Sequence, residues 1–336
     1  MCVQPVTRFI PGSRKWWIPA AVSTNSSSVL AAFDVRSNPL LSLHRLLKRA
    51  PDGALFACLL LLCSTVWAPS AWALCDLDTA KVAAESAQVA AVYDGDTLEL
   101  KDGRRVRMIG INTPERARKT GEEGEPLSNK ARKALEDSLS GGTVWLVQGK
   151  QGKDHYGRML AHVFSDKKDN VTAQLLRVGL GFQVAIAPNL QFLDCYRDAE
   201  LHARQNRLGV WNHPYYQPVH STSDALKGGY ARVFGAVERV SLSKKAIWID
   251  LEGHVTLKLE KHDAPYVDSG WVDELVQLSK RRSPGWVLEV RGWMSDRMTW
   301  SGTMPEQVRR GKRKRFQMKI HHQIDWKQID ATKTVN

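Results

Sequence analysis

Four charged side chains have the types and spacing that phosphodiester chemistry requires. Asp96 and Arg107 stand where a buried strand face would carry aliphatic side chains, and Glu115 and Arg158 follow them in the chain. A guanidinium binds phosphate oxygens in pairs and stabilises the charge of a five-coordinate transition state. One carboxylate can hold a hard cation while another takes a proton from water. The alternative for Asp96 and Arg107 is a single structural salt bridge.

The element that must position Asp96 and Arg107 is a β-hairpin. Alternating apolar residues flank Lys101-Asp102-Gly103, and Asp-Gly favours a two-residue type I′ turn. Such a turn pairs Leu98 with Arg107 and Asp96 with Ile109. It therefore places one set of side chains on one face, namely Asp96, Leu98, Arg107, Ile109 and Ile111. Asp96 and Arg107 are then diagonal neighbours at roughly 7 Å.

The hairpin belongs to a predicted domain over residues 88–213. Periodicity predicts helices at 126–139, 171–181 and 190–209, and further strands at 143–148 and 157–165. Residues 74–87 before the domain are helix-permissive, and residues 214–228 after it, rich in Pro, Ser and aromatic residues, are interpreted as a linker.

A second domain is predicted over residues 229–330. Its pattern of three strands, a helix and two strands is the order of an oligonucleotide-binding (OB) barrel. The loop sequence RRGKRKR at 309–315 is either a contact for backbone phosphates or a solvated loop between strands. The nearby aromatic side chains are either core residues or surfaces for base stacking; these are Trp286, Trp293, Trp300 and Phe316.

Composition is that of a globular protein with an anionic partner. The chain has 336 residues, is 43% hydrophobic and 25% charged, and carries a formal net charge of +13. A positive balance of this size favours nucleic acid or a membrane surface as partner, although a generally basic surface would also account for it.

Residues 1–73 have the features of an export leader. The apolar run at 54–66 has the length of a signal-peptide h-region, basic residues precede it, and Ala71-Trp72-Ala73 follows as a cleavage site. Cleavage there predicts a periplasmic or secreted protein that starts at Leu74 and has no stable membrane partner. The alternative is an uncleaved inner-membrane anchor at 54–68.

Two cysteines remain after removal of this leader, Cys75 and Cys195. In an oxidising compartment they form a disulfide that ties the mature N-terminus to the helix carrying Cys195. Two free buried thiols are the alternative.

Residues 88–213 resemble the thermonuclease, or staphylococcal-nuclease-like, family. Four motifs in order carry the resemblance: DGDT at 94–97, RMIGINTPE at 107–115, DHYGR at 154–158 and AELHARQNRLGVW at 199–211. The resemblance implies a calcium-dependent endonuclease that cleaves the bond to the 5′ oxygen of DNA or RNA and leaves 3′-phosphate ends.

The resemblance also implies a role for each matching residue. Asp96 is a calcium ligand, and Thr113 contributes its backbone carbonyl to the ion. Arg107 contacts the phosphate, Glu115 is the general base, and Arg158 stabilises the pentacovalent phosphate or the leaving group.

Asn112 departs from the family pattern, which has an aspartate at this position. A neutral amide oxygen keeps the hardness of the ligand but removes one negative charge. We therefore expect weaker calcium binding, or a preference for another divalent cation.

The predicted fold is mostly β with helices (α+β), with an OB-type five-stranded nuclease barrel and a second, smaller OB-like domain. The predicted function is metal-dependent phosphodiester hydrolysis of DNA or RNA. Two alternatives stay open: a catalytically inactive nucleic-acid-binding module, and an envelope protein that uses the second barrel for protein contacts.

Overall fold

A computed structural model describes residues 75–117, 121–280 and 285–329. The predicted leader at 1–73, with its h-region at 54–66, lies outside the described residues, as does Leu74. Among the helices that the structure describes, none is both long and apolar enough to cross a membrane.

The first half of the described chain is a closed five-stranded barrel. Its strands are β1 (Glu85–Asp94), β2 (Thr97–Leu100), β3 (Arg105–Met108), β5 (Thr143–Lys153) and β6 (Met159–Phe164), in the spatial order β1-β2-β3-β6-β5. β3 and β6 run parallel, and the other neighbours run antiparallel. The interior is aliphatic, with Leu98, Leu100, Val106 and Leu146 nearly inaccessible to solvent.

The predicted register of the β2–β3 hairpin is wrong by one residue. Leu98 pairs with Val106, and Arg107 pairs with Thr97. The turn is a three-residue loop in which Leu100 N donates to Arg104 O at 2.9 Å and only Gly103 takes a positive φ, of 86°. Three-residue loops with a glycine at the last position are a common alternative to the type I′ turn. Arg107 therefore points away from the core face that holds Leu98.

Helices cover this barrel where periodicity predicts them. They are α2 (Ser128–Ser138), α3 (Val171–Arg177) and α4 (Leu193–Gln205), preceded at the N-terminus by the one-turn α1 (Leu77–Ala80). The short strands β4 (Ile111–Asn112) and β7 (Phe182–Gln183) pair with each other. The predicted disulfide is confirmed: Cys75 and Cys195 are bonded and join the α1 segment to α4.

The segment predicted as a linker, residues 214–228, is ordered and packed. It begins with a 3₁₀ turn at Pro214–Tyr216 and contains the short strand β8 (Val219–His220), which pairs parallel with β9 (Gly229–Leu242), the first strand of the next barrel. Tyr216 is buried, and its hydroxyl donates to Pro126 O just before α2.

The second barrel repeats the strand order of the first. Its strands are β9 (Gly229–Leu242), β10 (Ala246–Leu251), β11 (Val255–Glu260), β12 (Val287–Asp296) and β13 (Phe316–Ile320), with β14 (Trp326–Ile329) added beside β12. β12 pairs back with β9, which closes the barrel, and β11 runs parallel to β13. Helix α5 (Ser269–Leu278) lies between β11 and β12, and α6 (Met304–Arg309) lies between β12 and β13. Both predicted OB-like barrels are therefore confirmed.

Candidate functional site

Asp96 lies at the tight turn between β1 and β2, which brings it against the segment after β4. Its Oδ2 accepts a hydrogen bond from Thr113 N at 2.9 Å and lies 3.0 Å from Arg107 Nη1. Gly95 permits this approach, because a Cβ there would lie 2.6 Å from Ala131 Cβ and 2.9 Å from Thr113 Cβ. Asp96 is 5% exposed, so it is a buried carboxylate held by Arg107, by the backbone of Thr113 and by the Thr97 hydroxyl, which donates to its Oδ1 at 3.1 Å.

Arg107 is fixed by acceptors on both sides of its guanidinium. Besides the ion pair with Asp96, its Nη1 donates to Met108 O and to Ile111 O, each at 3.0 Å. Its Nη2 donates to Asn112 Oδ1 at 3.3 Å. A guanidinium bound this way keeps one orientation beside the carboxylate of Asp96.

Asp94 is a residue of this site that sequence reasoning missed. Its Oδ1 accepts from Asp96 N at 3.1 Å, so the two aspartates of the turn lie side by side. Burial, followed by the negative charge of Asp96, raises the pKa of Asp94 to about 7. The DxD spacing in a tight turn is the signal that could have identified it, since the intervening glycine lets the turn close and brings the two aspartates together.

Asn112 and Thr113 are held by the short β4–β7 pairing. Asn112 pairs with Phe182, and Ile111 pairs with Gln183. Gly110, with a φ of 90°, turns the chain into β4 over the ring of Tyr196, where a Cβ would lie 2.2 Å from a ring carbon. Asn112 and Thr113 are 3% and 2% exposed, which fixes them beside Asp96.

Glu115 lies two residues beyond Thr113, on the exposed side of Pro114. Its backbone is held by Glu125, whose Oε2 accepts from Glu115 N at 3.0 Å and whose N donates to Glu115 O at 2.8 Å. Burial and the charge of Glu115 raise the pKa of Glu125, while its hydrogen bond from the Glu115 backbone opposes that shift. Sequence reasoning did not identify Glu125. Its contact with Glu115 closes an irregular loop, and such a loop has no periodic pattern from which the contact could be predicted.

Arg158 occupies the turn before β6 and pairs with Asp154 at 2.7 Å. Asp154 Oδ1 also accepts from Arg158 N at 2.9 Å, and the guanidinium lies 5.4 Å from the ring centre of Tyr156. Arg107 pairs with Leu160 in the parallel β3–β6 ladder. Arg158 directly precedes β6, so this pairing places it beside the first residues of β3, the strand that carries Arg107.

The predicted site residues therefore fall into two groups. Direct contacts join one group into a single cluster, which consists of Asp96, Arg107, Asn112 and Thr113. Glu115 follows this cluster along the chain, and Arg158 is placed near it by strand pairing, with Asp154 as its ion-pair partner.

The oxygen donors of this cluster, together with those of the adjacent Asp94, fit a hard divalent cation. Two carboxylates, of Asp94 and Asp96, and the amide oxygen of Asn112 offer the oxygen ligands that Ca²⁺ and Mg²⁺ prefer. Asp96 forms the ion pair with Arg107, and the charge of that guanidinium only partly opposes the rise in the pKa of Asp94 that burial and Asp96 cause. A bound cation would offset the repulsion between the two acidic side chains.

Comparison with known proteins places the first barrel in a family. Residues 105–213 match the family described as Staphylococcal nuclease homologue. The chain is 34% identical over 134 residues to the thermonuclease of Staphylococcus intermedius, which covers 39% of this chain and 78% of that protein. It is 32% identical over 128 residues to the thermonuclease of Staphylococcus hyicus, covering 37% of this chain and 75% of that protein.

A third relative is the endonuclease YncB of Bacillus subtilis (strain 168). It is 33% identical over 129 residues, which is 37% of this chain and 60% of that protein. These relatives are nucleases and support a phosphodiester hydrolase acting on nucleic acid. The chain belongs to the staphylococcal nuclease-like family.

Proposed function

We propose that this protein is an exported, metal-dependent endonuclease that hydrolyses phosphodiester bonds of DNA or RNA. The observation that carries the proposal is the buried cluster in which Asp96 contacts both Arg107 and Thr113. This contact joins two segments that are separate in sequence, and it places a carboxylate, a guanidinium and an amide oxygen around one point. Membership of a nuclease family supports the same chemistry.

Asp96, Asn112 and Thr113 would hold Ca²⁺, with Asp94 beside them. When bound, the cation polarises the phosphate and neutralises part of its charge. Asn112 lowers the negative charge of the ligand set, so we propose weaker calcium binding or the use of another divalent cation.

The reaction divides the remaining work among three side chains. Arg107 and Arg158 bind the non-bridging oxygens of the phosphate and stabilise the charge that grows in the transition state. Glu115 accepts a proton from the water that attacks phosphorus. The bond from phosphorus to the 5′ oxygen breaks, the released 5′ oxygen takes a proton from solvent to give a 5′-hydroxyl end, and the 3′-phosphate end remains. Glu125 supports Glu115 by fixing its backbone on both sides.

Export to the periplasm or the medium is part of the proposal. The disulfide between Cys75 and Cys195 supports an oxidising compartment, because cytosolic disulfides are rare. N-terminal sequencing of the protein recovered from its native host separates cleavage after Ala73 from a retained anchor at 54–68.

A cleavage assay tests the proposal directly. End-labelled single-stranded DNA and RNA are incubated with the protein in Ca²⁺, Mg²⁺ or EDTA. We expect cleavage with a divalent cation and none in EDTA, with 3′-phosphate products. If the protein binds the DNA and the RNA but cleaves neither of them with any ion, it is an inactive nucleic-acid-binding module. If it neither binds nor cleaves them, the result favours the envelope protein that uses its second barrel for protein contacts.

A further inference from the structure

The segment between β12 and β13, residues 297–315, packs over the outer face of the second barrel. Along β10, Ile247, Ile249 and Leu251 face the core, so Trp248 and Asp250 face outward. Asp250 is nevertheless only 8% exposed, because this segment covers it. Between the segment and the strands lies a cavity of about 70 Å³, which we call the 297–315 cleft. Its main lining residues are Arg239, Trp248, Asp250, Arg297, Lys312 and Arg313.

The floor of the 297–315 cleft contains a buried arginine with spare hydrogen-bonding capacity. Arg297 is 3% exposed, donates from Nη1 to Lys314 O at 3.2 Å and from Nη2 to Gln317 Oε1 at 2.7 Å. Its Nε has no hydrogen-bond partner among the described residues, and no carboxylate there forms an ion pair with it. Asp250 attracts this guanidinium without pairing with it, and a buried guanidinium that lacks an ion-pair partner is costly, so an anion entering the cleft would be stabilised.

Two aromatic side chains flank this guanidinium: Trp248, which lines the cleft, and Trp300 beside it. The Arg297 guanidinium lies 5.6 Å from the ring centre of Trp248 and 5.7 Å from that of Trp300. Trp300 is 37% exposed, so part of a large aromatic side chain is open to solvent beside a buried cation.

The basic run 309–315 is not uniform in its pairing. Arg309 and Arg310 contact Glu306 at 3.4 and 2.7 Å. At the other end, Lys314 pairs with Glu238, and Arg315 pairs with Asp296 at 2.7 Å.

The middle of the run differs from its ends. Lys312 and Arg313 are exposed, and within the described residues their side chains have no hydrogen bond, ion pair or ring contact. These two residues line the cleft, and Arg313 lies close enough to Arg297 that, after burial, its charge lowers the pKa of Arg297.

The one acidic side chain of the cleft is already neutralised. Asp250 Oδ2 accepts from Arg239 Nη2 at 2.6 Å, and its Oδ1 accepts from the Thr256 hydroxyl at 2.6 Å. Five basic side chains therefore line the cleft against one paired carboxylate, which leaves a local excess of positive charge in a concave, partly aromatic site.

We propose that the 297–315 cleft binds a backbone phosphate of single-stranded nucleic acid and thereby holds the strand on the second barrel. Arg297 Nε, Arg313 and Lys312 contact the phosphate, and Trp300 stacks on an adjacent base. A single strand fits these features, because its bases are free to stack on an aromatic ring and each stack adds affinity without reading sequence. A membrane surface fits less well, since the buried cation lies inside a concavity that a flat array of headgroups does not enter.

Binding is measured by fluorescence anisotropy with a 5′-labelled oligothymidylate of fifteen nucleotides, in EDTA and across 50–300 mM NaCl. The full chain carries Glu115→Gln, so that the strand stays intact. The test variant is Lys312→Ala with Arg313→Ala. The matched control is Arg309→Ala with Arg310→Ala, which removes the same charge from the same 297–315 segment at residues that are paired with Glu306.

We expect the test variant to raise Kd about tenfold or more and to reduce the slope of log K against log salt by about 1. The control variant should change Kd less than twofold. Trp300→Ala should raise Kd about fivefold or more, because stacking on one base is lost. The test variant and its matched control should unfold at the wild-type temperature, since their changed side chains are exposed.

An unchanged Kd for the test variant would overturn the proposal. An equal loss in the control would show diffuse attraction to the loop instead of a built site. Binding to phosphatidylglycerol vesicles that the test variant loses, with oligonucleotide binding intact, would assign the cleft to membranes. If the protein binds the strand through this cleft but the wild type never cleaves nucleic acid, the proposed nuclease activity is refuted and the proposed binding site is not.

Discussion

Arg291 of β12 contacts both carboxylate oxygens of Glu200 in α4, at 2.8 and 2.9 Å, and so joins the two barrels through a buried ion pair. Glu200 Oε1 also accepts from Gln183 N at 2.7 Å. Gln183 belongs to β7, which pairs with the strand that carries Asn112. The second barrel is thus connected to the candidate cation site through three consecutive contacts.

Breaking this ion pair should destabilise the protein. Arg291→Met leaves the Glu200 carboxylate buried without its cation, and we expect a loss of about 3–5 kcal/mol in the free energy of unfolding. The double variant with Glu200→Gln should recover much of that loss, because no uncompensated charge remains and Gln183 N keeps an acceptor. Urea unfolding measures both.

Arg197→Met provides the control for that experiment, since Arg197 forms an exposed pair with Asp194 in the same helix. It should cost less than about 1 kcal/mol. A loss at Arg291 no larger than at Arg197 would show that the barrels do not depend on the buried pair.

His162 should make the protein sensitive to acid. It is fully buried, its Nδ1 lies 2.7 Å from the Tyr196 hydroxyl, and burial lowers its pKa from 6.5 to about 3. The unfolded chain therefore takes up a proton below pH 6.5 that the folded chain does not, so stability falls as pH drops from 6.5 towards 3.

The measurement is the slope of unfolding free energy against pH. His162→Gln should reduce that slope by about 1.4 kcal/mol per pH unit between roughly pH 4 and 6. Substitution of the exposed His155 by glutamine is the control and should leave the slope as in the wild type. Equal slopes for the wild type and His162→Gln would show that His162 does not cause the loss of stability in acid.

Glu125 should act as a positioning residue for Glu115. Glu125→Ala removes the acceptor for Glu115 N, and we expect kcat to fall about tenfold or more with KM little changed, because displacement of a catalytic group by a small distance is costly. Glu125→Gln keeps an acceptor oxygen and should restore most of the activity. Equal losses in both variants would point to the charge of Glu125 in place of its hydrogen bond.

Asn112→Asp should tighten cation binding. The substitution adds one negative charge to the donor set, while Arg107 Nη2 keeps its acceptor. We expect the calcium concentration for half-maximal activity to fall about tenfold. The control is Asn129→Asp, which adds the same negative charge at an exposed position of α2. An unchanged calcium requirement would remove Asn112 from the cation site.

The strand order could be predicted because alternation of apolar residues and helix signals are local features of the sequence. The pairing of Cys75 with Cys195 could be predicted because only two cysteines remain after the leader. The register of the β2–β3 hairpin could not be predicted from the sequence. Asp102-Gly103 is compatible with both a two-residue and a three-residue loop, and packing of Leu98 and Val106 in the core selects the latter. Asp96 and Arg107 still meet, because Asp96 lies in the turn before β2 and not within the ladder.

The features of the site that could not be predicted from the sequence depend on contacts between distant segments. The support of Glu115 by Glu125, and the connection from Arg291 through Glu200 to β7, each join segments whose approach depends on the complete fold. Asp94 is different, since its DxD spacing was visible in the sequence. Its role depends on how Gly95 lets the turn close against Thr113.

Cleavage of labelled single-stranded DNA in Ca²⁺ by the wild-type chain, Glu115→Gln and the exposed control Glu123→Gln tests the central proposal most directly. We predict cleavage by the wild type and by Glu123→Gln at equal rates, and a loss of about 100-fold or more in kcat for Glu115→Gln, because the general base is removed. Equal rates for the wild type and Glu115→Gln, or no cleavage by any of the three, would contradict the account.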